Sequence, residues 1–173
     1  MATIRRLFFY VALILILLLS TLRILSLRLA NEQKKLTLLT PVIDSCYSEL
    51  ELTMNEVVKS IQRVHRDEPV KDTFLLGYSW FVMKKDTSFY NAVSAHDYEK
   101  ALYSMNKKSS DFFRLINYVW EEIQGFETNA GFTQRLNRIN EIELTIDSLL
   151  TEAKKTTERI KRYSGLYELL WPF

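Results

Sequence analysis

The stretch LFFYVALILILLLSTL, residues 7–22, holds sixteen consecutive residues without a charge. An α-helix of this length covers about 24 Å, slightly less than the bilayer's hydrocarbon core of about 30 Å. The apolar pattern continues beyond Arg23 to Leu29, and Arg23 can extend its guanidinium toward the interface. We therefore predict a transmembrane helix of about 20 to 24 residues. Its anchor residues are Leu7, Leu15, Leu18 and Leu22.

A cleaved signal peptide is the alternative interpretation of this segment. Arg5 and Arg6 before an apolar run match its first two regions. The cleavage region fits poorly, because cutting after Ala30 places Arg28, and cutting after Ser20 places Leu18, where a small residue is required. We therefore expect an uncleaved, single-pass membrane protein in which the bilayer itself is the first partner.

The orientation in the membrane follows from the basic residues that flank the span. Two arginines precede the apolar run, whereas Arg23, Arg28, Lys34 and Lys35 follow it. Because cytoplasmic flanks carry the excess of Lys and Arg, this count favours a cytoplasmic C-terminal domain. A short basic N-terminal flank is equally typical of the opposite orientation, which stays open.

The rest of the composition predicts an all-α protein. The chain has 173 residues but four glycines and three prolines, too few for the many turns of a β-sandwich, a barrel or a βαβ fold. Its hydrophobic content of 47% argues against disorder. A single cysteine, Cys46, excludes an internal disulfide and a thiolate cluster.

Charge is distributed unevenly between the two predicted parts. All 21 acidic residues and nineteen of the 23 basic residues follow residue 30, so the remainder of the chain carries a net charge near −2. A nucleic-acid surface would need a positive stripe, so we expect no nucleic-acid partner. We divide the chain into a transmembrane anchor, residues 1–30, and a helical bundle domain, residues 31–173.

Apolar residues at spacings of three and four predict the helices of the bundle. The first helix begins at Thr40 and Pro41 or runs on from the membrane, and it ends before Pro69. A short second helix is predicted at 74–83. The apolar residues that define one face of the predicted first helix, its apolar stripe, are Leu39, Val42, Ile43, Cys46, Leu50, Met54, Val57, Ile61 and Val64.

Two longer helices complete the predicted architecture. Ser94 with Asp97 fits the S-x-x-D capping pattern for a third helix that ends near Gly125. Asn129 is expected to cap a fourth helix, which has a coiled-coil-like seven-residue repeat and closes at Gly165. Helices of this kind joined by short loops predict an antiparallel, four-helix-type bundle.

Few residues suggest chemistry. His65 with Glu68, and His96 with Glu99, give H-x-x-E pairs, the reverse of the Glu-x-x-His order of di-metal bundles. Cys46 lies on an apolar stripe, where a small core residue is the usual role. We therefore predict no catalytic, cofactor-binding or metal-binding residues and no enzymatic activity.

Two apolar surfaces remain to be explained. An aromatic cluster in the second predicted helix is expected to pack in the core or to form a partner-binding patch. Its members are Phe74, Tyr78, Trp80 and Phe81. The closing segment LYELLWPF, residues 166–173, is expected to dock on the chain's own core, with the membrane surface or a partner as alternatives.

The chain resembles the LemA family of small bacterial-type membrane proteins. Residues 43–52, IDSCYSELEL, are similar to that family's V-D-x-A-W-S-x-I-D-V. A second stretch resembles V-E-x-Y-P-x-L-x-x-N-x-x-F and the helix that follows it. The residues that keep both type and spacing there are Asn129, Phe132, Glu143 and Ile146. The resemblance implies one N-terminal transmembrane helix followed by an antiparallel bundle, and it implies no particular activity.

Together these observations predict a membrane-anchored helical bundle that presents an interaction surface to a membrane-associated partner. A helical sensor module that binds a small ligand and acts through a partner is the alternative. A metal-dependent enzyme is a third class.

Overall fold

A computed structural model of the chain describes the backbone of residues 2–64, 86–118 and 130–171. Side chains are described for residues 8–61, 86–117 and 131–171. These ranges contain four helices and no strand, which confirms the predicted all-α class for this part of the chain. The helices are α1 (Ala2–Val64), α2 (Thr87–Ser94), α3 (Tyr98–Tyr118) and α4 (Ala130–Leu170). The short helix predicted at 74–83 lies outside the described residues.

Helix α1 is continuous from the apolar N-terminal segment into the following domain. It contains 63 residues and passes through Thr40 and Pro41, so the second of the two predicted starts is the one observed. Pro41 is exposed. Because proline has no backbone N–H, it cannot donate the helical hydrogen bond to the carbonyl oxygen of Thr37.

The N-terminal part of α1 exposes its apolar side chains. From Phe8 to Leu19 the large apolar residues are 38–72% exposed. In the most apolar 18-residue stretch of the helix, only 6% is buried. Within the described ranges, α1 is the one helix long and apolar enough to cross a membrane. Of the predicted anchor residues, Leu15 and Leu18 are exposed, whereas Leu22 is 7% exposed and is therefore covered by protein. The side chain of Leu7 lies outside the described ranges.

Two compact units divide the chain. One consists of residues 1–38 and 153–173, and the other of residues 39–152. In the second unit, α1, α2, α3 and α4 each contribute buried apolar side chains. Those buried most completely include Ile43, Leu50, Met54, Val57, Phe89, Ala101, Phe112, Ile139 and Ile146.

Two predicted helix ends are wrong. Ser94 is the last residue of α2 and does not cap α3. Instead, the Oδ1 atom of Asp97 accepts a 3.1 Å hydrogen bond from the backbone N–H of Lys100. An aspartate at this position satisfies one of the free N–H groups of the first turn, so it replaces Ser94 as the cap.

The second helix end that was predicted wrongly is Gly165. Helix α4 passes through this glycine and ends at Leu170. A helix-ending glycine normally adopts a positive φ, and no described glycine has one. Tyr167 and Leu170 beyond it are half-buried, so their packing favours continuation of the helix. At the other end, α4 begins directly after Asn129, whose own side chain is outside the described ranges.

Candidate functional site

Asp86 joins three helices through its carboxylate. It precedes α2, and its Oδ1 accepts a 3.0 Å hydrogen bond from the backbone N–H of Ser88. Its Oδ2 accepts one bond of 2.9 Å from Tyr47 Oη on α1 and another of 2.8 Å from Ser104 Oγ on α3. Asp86 therefore caps α2 and at the same time fastens that helix to α1 and α3.

Tyr47 fills the centre of this arrangement. Its ring stacks on Phe89 with centroids 3.7 Å apart and an interplanar angle of 7°, and neither side chain is exposed. Burial, with the negative charge of Asp86 beside it, raises the pKa of Tyr47 well above its ordinary value. The phenol therefore stays protonated and serves as a hydrogen-bond donor rather than as a base or a nucleophile.

The carboxylate of Asp86 is held in its charged form. Burial alone would raise its pKa, but the hydrogen bonds donated by Ser104, Tyr47 and Ser88 outweigh burial and lower the pKa overall. A charged acceptor with three donors is a stable arrangement. We interpret it as a structural fastening of the helices.

Glu51 forms a second polar centre one turn along α1. Its Oε1 pairs with the ammonium group of Lys108 on α3, and its Oε2 accepts a 3.3 Å hydrogen bond from Tyr90 Oη on α2. The side chains of Lys108 and Glu51 are 11% and 15% exposed. The Tyr90 hydroxyl also lies 3.2 Å from Ser48 Oγ. This ion pair is therefore largely removed from solvent.

Arg138 on α4 forms a more exposed ion pair with α1. Its Nη2 and Nε lie 2.7 and 3.1 Å from Glu49 Oε1, and its Nη1 lies 3.2 Å from Glu141 Oε2. About half of the Arg138 and Glu49 side-chain surface is exposed. Water screens such pairs, so their role is mainly to define register between the helices.

An open groove between α3 and α4 is the clearest candidate binding surface among the described residues. Its volume is about 530 Å³. Its lining combines three apolar side chains with two carboxamides and two carboxylates. These residues are Leu102, Met105, Asn106, Asn140, Glu143, Leu144 and Asp147. Such a surface suits an extended apolar group that also carries a hydrogen-bond donor or a positive charge.

Glu143 gives this groove an unused acceptor. Its Oε1 is buried and has no hydrogen-bond partner within the described part of the chain. A buried carboxylate oxygen without a donor is costly, so the Glu143 carboxylate is a destabilising feature of this groove. Leu144, the next residue, is 72% exposed and offers apolar surface at the same site.

Asp44 and Cys46 on α1 are poor candidates for chemistry. Burial raises the pKa of Asp44, and its Oδ1 is buried with no partner in the described ranges. Burial, and secondarily the negative charge of Glu49, also raise the pKa of the Cys46 thiol. A protonated, half-buried thiol is unreactive, which agrees with the predicted packing role of Cys46.

The structure does not assemble the predicted histidine pairs into a site. His96 lies in the turn between α2 and α3 with a φ of 59°, and it is exposed, whereas Glu99 belongs to the first turn of α3. His65 and Glu68 are outside the described residues. Among the described residues, no group of three or more His, Cys, Asp or Glu side chains is placed to hold a metal ion.

The predicted partner patch also lies outside the described part of the chain. This applies to Phe74, Tyr78, Trp80 and Phe81. The groove and the two polar centres were not predicted, since their members belong to common residue types and lie far apart in sequence. Asp86 carried one readable signal, because aspartate is a favoured residue immediately before the first turn of a helix.

Comparisons of the chain with protein-family models, with curated proteins and with solved structures found no match. The LemA resemblance therefore stays a prediction. Several residues that carry it are in the core, since Ile43, Tyr47, Phe132 and Ile146 are all buried. Glu143 lies instead in the groove.

Proposed function

We propose that the protein is a single-pass membrane protein whose helical domain binds a membrane-associated protein partner and catalyses no reaction. The exposed apolar N-terminal part of α1 carries this proposal. Side chains from Phe8 to Leu19 present 38–72% of their surface, an arrangement that lipid would cover and water would oppose. We place the C-terminal domain on the cytoplasmic side, on the basis of the flanking basic residues.

The proposed domain is an antiparallel four-helix-type bundle of the kind that the LemA resemblance implies. Support comes from the shared core of α1, α3 and α4 and from the ion pair between Arg138 and Glu49. The short helix predicted at 74–83 lies outside the described residues and stays a prediction. Its aromatic cluster stays a second proposed contact surface for a partner.

The groove between α3 and α4 is the proposed binding surface. Leu102, Met105 and Leu144 supply apolar contact, while Glu143 and Asp147 supply negative charge. A partner segment with an apolar side chain followed by Lys or Arg matches this lining, because its cation would lie beside the carboxylates of Glu143 and Asp147. The partner class we propose is therefore a basic, amphipathic segment of a membrane-associated protein.

Membrane fractionation tests the anchor. Leu15→Arg combined with Leu18→Arg should abolish membrane retention, because each arginine costs about 2.5–3.5 kcal/mol at the centre of a spanning helix. Leu52→Arg is the matched control, since Leu52 is 60% exposed on the same helix but follows the predicted span. Retention of the doubly substituted chain after a carbonate wash would contradict the anchor.

Affinity capture in mild detergent tests the groove. Glu143→Gln with Asp147→Asn should reduce recovery of the partner, whereas Glu158→Gln, an exposed acid on the same helix, should not. Trp80→Ala and Phe81→Ala test the aromatic cluster in the same assay. If all variants recover the same proteins in the same amounts, both proposed surfaces are wrong.

A small-ligand sensor is the second candidate function, and the groove favours it as well. Its volume of about 530 Å³ falls within the range of small-molecule sites. A thermal-shift screen with organic cations and amines should then raise the melting midpoint of the wild type but not of the Glu143→Gln variant. A flat screen would leave protein binding as the better explanation. Elemental analysis of the purified protein tests the metal-enzyme class.

A further inference from the structure

The C-terminal end of α4 exposes apolar side chains. Leu166 is 43% exposed, Leu169 is 77% exposed and Trp171 is 50% exposed. The expectation that this segment docks on the chain's own core is therefore wrong for these three residues. Exposed apolar side chains grouped at a helix end indicate a surface that something else covers.

The compact unit formed by residues 1–38 and 153–173 shows which side of α4 is already occupied. On α1 the covered positions recur at spacings of three and four. They are Leu22, Leu25, Leu29, Glu32 and Leu36. On α4 a second stripe has the same spacing. It comprises Ala153, Thr156, Ile160, Tyr163, Tyr167 and Leu170. Since this unit contains only these two segments, we infer that the two stripes pack against each other.

An ion pair sets the register of that packing. Arg159 Nη1 on α4 lies 3.6 Å from Glu32 Oε1 on α1. From this pair the α1 stripe extends ten residues back to Leu22, and the α4 stripe extends eleven residues forward to Leu170. Ten and eleven helical residues have nearly the same length, since each residue adds the same rise. The two stripes therefore end at the same level if α1 and α4 run antiparallel. Leu170 therefore lies at the level of Leu22.

Leu22 is also the last residue of the charge-free run, and Arg23, which can extend its guanidinium to the interface, follows it, so this level lies in the last turns of the proposed anchor. Tryptophan is favoured at the membrane–water interface, and Trp171 lies at this level. Arg162 precedes Leu166 by one helical turn and is exposed, which suits it to acidic lipid headgroups.

We propose that the last two turns of α4 form a second membrane contact, in which Leu166, Leu169 and Trp171 insert into the interfacial layer beside the end of the anchor. This inference rests on the proposed anchoring function. The occupant is a lipid surface because the patch is continuous with the anchor and is followed, along α4 toward its N-terminus, by basic residues. The domain would thereby hold the bilayer at two points.

Spin labels on the full-length chain test this contact. Cys46→Ala provides a cysteine-free background, in which Leu169→Cys carries the label and Leu144→Cys is the matched control. Leu144 is 72% exposed on the same helix, close to the 77% of Leu169, but it precedes it by 25 residues. Leu15→Cys reports the anchor. The protein is reconstituted in vesicles of phosphatidylcholine and phosphatidylglycerol, and collisions with oxygen and with a water-soluble nickel chelate are compared.

We expect the ratio of oxygen to nickel accessibility at position 169 to exceed that at position 144 and to approach that at position 15. A label at 169 that matches 144, with 15 still in lipid, overturns the second contact and leaves the anchor intact. Shielding of 169 from both reagents shows that protein covers the patch and also overturns the inference. An aqueous signal at 15 overturns the anchor and the second contact together.

Discussion

Tyr47 Oη and Asp86 Oδ2 are 2.9 Å apart, and this hydrogen bond joins two helices across 39 residues of sequence. The donor is fully buried and the acceptor is half-buried at the start of α2. Ser104 adds a donor to the same oxygen at 2.8 Å. One carboxylate therefore links α2 to both α1 and α3.

Asp86→Asn should destabilise the domain. The substitution removes the charge and replaces one acceptor oxygen by an NH₂ group, so at least one donor loses its partner. We expect a loss of about 1–2 kcal/mol, which extends below the range of roughly 1.5–3 kcal/mol for hydrogen bonds to charged groups because Asp86 is only half-buried. Chemical unfolding of the detergent-solubilised chain, followed by circular dichroism, measures it. Asp147→Asn, at an exposed aspartate, is the control and should have little effect.

Acid should weaken the same fastening. The pKa of Asp86 is lowered in the folded chain, so its contribution is complete above the unfolded-state pKa of about 3.9. The contribution is then lost as the pH falls toward and through the folded-state pKa. The stability difference between wild type and Asp86→Asn should therefore shrink as the pH falls below about 4. A difference that stays constant from neutral to acidic pH would contradict this assignment.

Asp44→Asn should stabilise the folded chain, whereas Asp86→Asn should destabilise it. Burial raises the pKa of Asp44, and its buried Oδ1 has no partner within the described ranges. A raised pKa means that the ionised form opposes folding at pH values above it. We expect the neutral amide to raise the melting midpoint at neutral pH. Because protonation relieves the wild type, the gain should diminish as the pH is lowered, and a lower midpoint at neutral pH would refute the assignment.

The Lys108–Glu51 ion pair should contribute more to stability than the ion pairs of Arg138, because it is more deeply buried. Lys108→Met leaves Glu51 charged in a site where both side chains are at most 15% exposed, so we expect a loss of about 1.5–3 kcal/mol. Arg138→Met breaks pairs that are half exposed, and its effect should be clearly smaller. Equal losses in the two variants would show that solvent screening does not distinguish these sites. Unfolding in low and high salt should show the same contrast.

Gly165→Ala should stabilise α4. The glycine lies inside the helix, and a Cβ atom added there meets no other atom within 4 Å. Alanine is favoured over glycine in a helix interior by about 0.8–1 kcal/mol. Helical content and melting midpoint should both increase. A decrease would indicate that residue 165 ends the helix, as the sequence pattern alone suggests.

Periodicity predicted the core more accurately than it predicted the helix ends. Ile43, Leu50 and Met54 were placed on the first stripe and are buried, because spacing alone determines which face of a helix they share. Val42 was placed there too and is 46% exposed, while Tyr47 was left out and is fully buried. The burial of a tyrosine hydroxyl depends on a distant acceptor, and the spacing of apolar residues carries no information about Asp86.

Helix ends and the site depend on tertiary contacts. Ser94 was predicted to cap α3 through the S-x-x-D pattern, but it is the last residue of α2, a short helix that the pattern did not reveal, and Asp97 caps α3 instead. Gly165 is compatible with a helix end, but Tyr167 and Leu170 find cover beyond it. The groove combines side chains of α3 and α4 that are about 40 residues apart, so no local pattern could have shown it.

Pro41 has a consequence for hydrogen exchange in α1. The carbonyl of Thr37 has no helical N–H donor at position 41, and this interruption lies beside the division between the two compact units at residues 38 and 39. A helix opens most easily where its hydrogen-bond ladder is incomplete. Amide deuteration measured along α1 should therefore be fastest around Pro41 and slow on both sides, so that one continuous helix behaves as two cooperative segments.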